Sequence, residues 1–330
     1  MNEPIFVSAF FDIGRGDKNQ NAIPRSTNKY FEYFSNWCRI KNQLVVFTEP
    51  QFVEKIYDIR RKYNLEAKTK VIAINNFCSI EPEIFQNMKR VENNKFYNES
   101  RLFSHAMSNK ASYDYVMLLK YYCIKETKEL FSDCELFVWM DFGFDHGGKR
   151  FQNQKEYSFI WKPTLPINKI TLFSLYNPEK VGNLEMLQLQ TDCIMGCFLL
   201  VPAYLADDLW KWMKEAMTSL LMLECIDDDQ MLLLMVLKKY QNDFQVIESD
   251  WFLPFALYGN GELTLNERQR EKGLQKVLNN TKAKLRCLIR GQKQGSVSVL
   301  GKRLKQRLET IRGYEVQFGE NFKTKNKNQL

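Results

Sequence analysis

Phe137-Val138-Trp139-Met140-Asp141-Phe142-Gly143-Phe144-Asp145-His146-Gly147-Gly148 is the stretch on which the reading of this chain turns. The apolar run from Cys134 to Met140 reads as a β-strand, and it stops abruptly at Asp141-Phe142-Gly143. Its apolar character is continuous rather than alternating, the mark of a strand covered on both faces. Open α/β sheets set nucleotide and metal sites at the carboxyl ends of such strands, and a nearby glycine lets backbone and ligand approach. Asp141, Asp145 and His146 carry the oxygen and nitrogen donors that suit Mn²⁺ or Mg²⁺ on a diphosphate. The other reading of the segment is a turn in which Asp141 caps a helix or satisfies backbone amides.

Upstream, Ile5 to Phe11, Gln43 to Thr48 and Lys70 to Ile74 are short apolar, β-branched runs. Helix-compatible stretches, Thr27 to Ile40 and Pro50 to Tyr63, separate them, which gives a βαβαβ rhythm and predicts a parallel arrangement. Ser112 to Leu130 reads as a helix ahead of the Asp141 strand. Downstream the pattern predicts strands at Ile170–Tyr176, Thr191–Val201 and Phe244–Ile247, with helices at Ala203–Leu221 and Asp228–Lys239. The fold class expected is α/β, a mixed central sheet flanked by helices.

The 330 residues are 45% hydrophobic and 26% charged, which excludes general disorder. Eight cysteines without a CxxC pair predict buried thiols in a reducing compartment, not a disulfide framework or structural zinc. No stretch reaches the roughly 20 apolar residues of a membrane span, and the first residues lack the zones of a secretory signal, so a cytoplasmic protein is expected. GxGxxG, GxxxxGK[ST], GxSxG and HExxH are all missing from the sequence, which removes the main support for dinucleotide, Walker-type, serine-hydrolase and zincin readings. Of the two histidines, His105 reads as structural.

Three further segments carry candidate chemistry. In Phe10-Phe11-Asp12-Ile13-Gly14-Arg15-Gly16 the first strand ends beside the expected pocket, and Arg15 on a glycine-flanked loop is placed to reach phosphate or base; an exposed loop charge is the alternative. Asp227-Asp228-Asp229 opens an apolar helix, either as plain capping or with one acid capping and another facing a ligand as a base. Gly196 inside Thr191–Val201 marks a bulge, a close approach of a ligand or backbone, or simple packing.

Taken in order, AFFDIGRGDKN, VWMDFGFDH, TDCIMGCFLLVP, DDDQMLLLMV and DWFLPFALYGNGEL resemble the bacterial HtrL/YibB family over about residues 4–262. That family looks like glycosyltransferases of the GT-A type, with a Rossmann-like sheet, associated with lipopolysaccharide or lipooligosaccharide assembly. The resemblance implies transfer from a nucleotide sugar, a UDP-sugar in the first instance, to an oligosaccharide or lipid-linked saccharide. It implies donor contacts from Phe10, Asp12, Arg15, Lys120, Asp141 and Gly143, with Asp141 as the first acid of a DxD motif. Here the motif reads DxG, so Asp145 or His146 would complete a Mn²⁺ or Mg²⁺ site. It further implies that Gly196 borders the acceptor pocket and that Asp228 or Asp229 takes the acceptor proton. A degenerate fold that binds saccharide or membrane without catalysis is the rival reading; a nucleotidyltransferase is a third.

Charge divides the chain into an expected transferase domain, 1–260, and a basic extension, 261–330. The extension holds 17 Lys and Arg against 6 Asp and Glu, whereas residues 1–260 hold 30 against 33. Val297, Leu300, Leu304, Leu308 and Ile311 recur at helical spacing among basic residues, predicting an amphipathic helix over 297–311 that suits the anionic inner-membrane surface. Aromatics are sparse there, which disfavours nucleic acid as the partner.

Overall fold

Alternation along the strands builds three layers. In this computed structural model the described residues are 3–16, 24–94, 97, 101, 110–147, 151–152, 157–189, 193–249, 253–258 and 263–264. Seven strands form one sheet: β1 (Ile5–Phe10), β2 (Leu44–Thr48), β3 (Thr69–Ala73), β4 (Leu136–Met140), β5 (Ile170–Ser174), β6 (Phe198–Pro202) and β7 (Phe244–Glu248), in the order β3-β2-β1-β4-β6-β5-β7. Strands β1 to β4 are mutually parallel, β6 runs antiparallel to both β4 and β5, and β7 is parallel to β5. The mixed sheet expected from the sequence is present.

Successive side chains of each strand enter opposite cores. Ile5, Val7, Val45, Phe47, Phe137, Trp139, Leu199 and Val201 lie in one core, together with buried residues of α3 (Pro82–Val91), α4 (Ala111–Leu130), α5 (Asn183–Leu189), α6 (Ala206–Met222) and α7 (Asp229–Lys239). Phe6, Phe10, Leu44, Val46, Val138, Met140, Phe198 and Leu200 lie in the other, with α1 (Thr27–Trp37), α2 (Val53–Arg61) and Phe255 of α8 (Leu253–Tyr258). The second core is rich in rings; Phe34 stacks on Phe142 at 4.4 Å between centroids. Arg60, fully buried, ties α2 to the sheet by donating to Thr69 Oγ1 and to the carbonyls of Cys38, Ile40, Asn42 and Lys68.

One strand departs from the sequence reading. Thr191–Val201 is not a continuous strand: Ile194 makes an isolated bridge to Ser174, Gly196 and Cys197 form a turn, and β6 begins only at Phe198. Cys193, Ile194 and Met195 are fully buried and pair only briefly with the end of β5, the Leu175 amide donating to the Cys193 carbonyl and the Met195 amide to the Phe173 carbonyl, both at 2.8 Å.

The chain divides into two compact units, Met1–Asn266 and Glu267–Leu330. Residues 297–311, over which a helix is expected, fall in the second and lie outside the described residues, as does His105 of the first. Among the described residues no helix is long and apolar enough to cross a membrane.

Candidate functional site

The connection reverses direction across the sheet between β1 and β4: β2 and β3 extend to one side of β1, and the chain returns through α4 to place β4 on the other. The carboxyl ends of β1 and β4 therefore flank a topological switch point, the place where open α/β sheets bind ligands. Asp141 follows β4 directly. It lies two residues beyond Trp139, hence on the α4 face of the sheet, and accepts a hydrogen bond at Oδ1 from Trp139 Nε1 at 2.8 Å.

Because β6 is antiparallel to β4, its beginning meets the end of β4, with Met140 opposite Phe198 and the Asp141 amide donating to the Cys197 carbonyl at 3.0 Å. That inversion carries Gly196 to the site. The amino end of α7 completes it: Lys120, midway along α4, holds Asp141 Oδ1 at 3.0 Å, Asp229 Oδ2 at 2.8 Å and the Gly196 carbonyl at 3.0 Å. Lys120 and Asp229 are buried at 3% and 5% side-chain exposure, whereas Asp141 retains 33% and is the member open to a ligand.

Burial acts to lower the Lys120 ammonium, but Asp141 and Asp229 outweigh it and hold the group above its ordinary value. Burial raises the Asp229 carboxyl, with Lys120 opposing. Asp229 also explains Gly196. A β-carbon on that glycine would lie 1.9 Å from Asp229 Oδ2, so only glycine leaves room for the carboxylate.

The three acids before α7 divide the work. Asp227 accepts from Arg101 Nη2 at 3.1 Å in a buried ion pair, and Asp228 caps the helix by accepting from the Gln230 amide at 3.1 Å. Only Asp229 turns inward to Lys120. Capping thus falls to Asp228, while Asp227 and Asp229 are each paired with a buried cation.

The remaining expected donor contacts are placed as follows. Arg15 comes to the amino end of α4: it donates to the Tyr30 hydroxyl, and its guanidinium carbon lies 5.2 Å from the centre of the Tyr113 ring. Burial raises the Tyr113 hydroxyl, and Asp228 adds to the shift while Arg15 opposes it, so all three share one neighbourhood. Asp12 holds its own loop, accepting from Thr27 Oγ1 and the Gly14 amide, with its amide bonded to Glu49. The Phe10 side chain is buried among Tyr30, Phe31, Phe52 and Phe142.

The structure does not gather Asp141, Asp145 and His146. Asp145 is 1% exposed in the second core and accepts from the Tyr157 hydroxyl at 3.3 Å. His146 is exposed on the α1 side, 3.1 Å from Arg25 Nη1. Two consecutive left-handed residues, Asp145 (φ 58°) and His146 (φ 39°), turn the chain away from the face that Asp141 occupies. Gly143 packs on α1, and a β-carbon there would meet Tyr30 Cε1 at 3.2 Å. Among the described residues no three His, Cys, Asp or Glu side chains stand together as a metal site.

Sequence reasoning missed Arg101, Trp139 and Asp114. Asp114 is fully buried with neither carboxylate oxygen bonded, and burial, reinforced by Asp227 and Asp228, raises it well above the ordinary carboxyl range. A lone acid on the inner face of an apolar helix was the available signal. A separate groove of about 740 Å³, lined by Glu81, Ile84, Lys211 and Lys214 among others, contains none of these residues.

Among solved structures, the chain is similar to the apo form of mouse xyloside xylosyltransferase 1, at TM-score 0.39 and 12% identity over 78% of this chain and 93% of that one. Protein HtrL of Escherichia coli (strain K12) is 22% identical over 274 residues, covering 78% of this chain and 93% of the relative. The family described as "Bacterial protein of unknown function (HtrL_YibB)" matches residues 2–260, and the chain belongs to this HtrL/YibB family.

Proposed function

We propose that the protein transfers a sugar from a nucleotide-sugar donor to a saccharide acceptor. The observation that carries this reading is Asp141: a partly exposed carboxylate at the carboxyl end of β4, beside the switch point, pinned by a buried lysine that also holds Asp229, the residue after Asp228. Such a fixed carboxylate is suited to the donor's ribose hydroxyls. In the transfer, the acceptor oxygen bonds to the anomeric carbon and the bond from that carbon to the diphosphate breaks. The electron pair leaves with the diphosphate, and the acceptor proton passes to a carboxylate. Asp228, half-buried at the helix start, is our candidate for that base, while Asp229 is committed to Lys120.

For the donor we favour a UDP-sugar, and for the acceptor a lipopolysaccharide- or lipooligosaccharide-type glycan approached at the inner-membrane surface. Both rest on the family resemblance and on the basic segment 297–311. A second reading, a non-catalytic saccharide-binding protein, is favoured by one observation: all three Lys120 hydrogens are already taken inside the protein.

Thermal melting against a panel of nucleoside diphosphates and nucleotide sugars tests the proposal. A ligand at 100 times its dissociation constant adds about 2.7 kcal/mol, a rise of roughly 5–10 °C for a unit of this size. Selective stabilisation by one nucleotide, followed by its diphosphate being released from the matching sugar donor, is expected. A flat response across the panel sinks the transferase reading in favour of the binding protein.

A further inference from the structure

A divalent ion does not fit the residues that the DxG motif offers. Asp141 Oδ1 already carries an ammonium at 3.0 Å, Asp145 is turned into the second core, and His146 stands against Arg25. The position where a second acid would stand is Gly143, and Tyr30 fills the space a side chain there would need. The place beside Asp141 is held instead by Lys120, clamped between two carboxylates and a carbonyl.

We propose that the donor's diphosphate is held without a divalent metal, by two resident cations, Lys120 and Arg15. The inference rests on the transferase reading and specifies how that site meets its negative charge. Lys120 acts as fixed charge, since its three N–H bonds are spent on orienting it. Arg15 is the complementary donor. Its guanidinium is steadied by the Tyr30 hydroxyl and the Tyr113 ring, and its Nε is buried with no hydrogen-bond partner. Tyr113 and Lys120 are seven residues apart on α4, two turns along one face and about 10 Å along the axis, so the two cations lie along one helix. With both carboxylates ionised the Lys120 cluster keeps one net negative charge, which makes the second cation necessary.

Calorimetric titration of the full chain with UDP, GDP, CDP, ADP and dTDP, each in EDTA and in excess Mn²⁺, tests this. For the nucleotide that binds, affinity is expected to change by less than about tenfold between the two conditions. Tightening by Mn²⁺ of about tenfold or more overturns the two-cation proposal and leaves the transferase reading standing. Absence of binding by every diphosphate in both conditions overturns both. Lys120→Ala is expected to lose at least about tenfold in EDTA and to recover in Mn²⁺, because its two carboxylates are then available to an ion. If that variant does not fold, Arg15→Gln serves: it is expected to lose at least about tenfold in EDTA, and unchanged affinity overturns the proposal.

Discussion

Gly196 and Asp229 are mutually exclusive with any larger pair: the glycine's missing β-carbon leaves the space in which the Asp229 carboxylate reaches Lys120. No left-handed backbone is involved at Gly196, so the restriction is purely steric. Gly196→Ala is therefore expected to cost roughly 1–3 kcal/mol and to weaken nucleotide binding. Denaturant unfolding checks the first and calorimetry the second. Asp229→Ala makes room, so the double variant should show strong non-additivity; simple addition of the two costs would refute the contact.

Lys120 is the only cation bonded to Asp229 among the described residues. Lys120→Met leaves a buried carboxylate uncompensated and is expected to destabilise by roughly 3–5 kcal/mol. Lys120→Met with Asp229→Leu should recover much of the loss in stability while nucleotide binding stays impaired. A double variant as unstable as the single one would show that the pair does more than balance charge.

Burial, reinforced by Asp227 and Asp228, raises the Asp114 carboxyl well above its ordinary range. A carboxyl raised on folding contributes stability that is present below its unfolded value, near pH 4, and is lost as pH rises toward the folded value. Asp114→Asn removes that loss. Its melting temperature should match the parent near pH 4 and exceed it increasingly toward pH 8. A constant offset across that range would show that Asp114 does not titrate in this manner.

Restoring the missing acid should fail. Gly143→Asp drives a side chain against Tyr30, 3.2 Å from where its β-carbon would sit, and is expected to cost roughly 1–3 kcal/mol. Nucleotide binding in the variant should remain indifferent to Mn²⁺. A Mn²⁺-dependent gain in affinity would mean that Tyr30 yields readily and that the glycine is incidental.

What could be read from the sequence follows from what leaves a local imprint. Val138, Val45 and Leu200 announce strands because a strand buried on both faces is apolar throughout, and the stop at Asp141 is abrupt enough to mark the site. The same rule overextended the strand at Cys193 to Met195, which make a single bridge to β5 before the turn at Gly196 and Cys197. Asp227, Asp228 and Asp229 were legible as a capping run, but their division of labour depends on Arg101 and Lys120, more than 100 residues away. Asp145 and His146 look like ligands beside Asp141 in the sequence; two left-handed residues separate them in space, and nothing in residue type announces that turn.

The antiparallel β6 has a kinetic consequence. Lys120 meets Asp229 across 109 residues, and closing a loop of that length costs about 4 kcal/mol in chain entropy beyond a constant term. The consecutive α4 and the end of β4 supply the Lys120–Asp141 pair, but the turn before β6 and α7 must arrive before the cluster is whole. The ion-paired cluster thus forms only with late, long-range assembly, and during synthesis a ribosome must have released residue 229 before any of the chain's proposed chemistry exists.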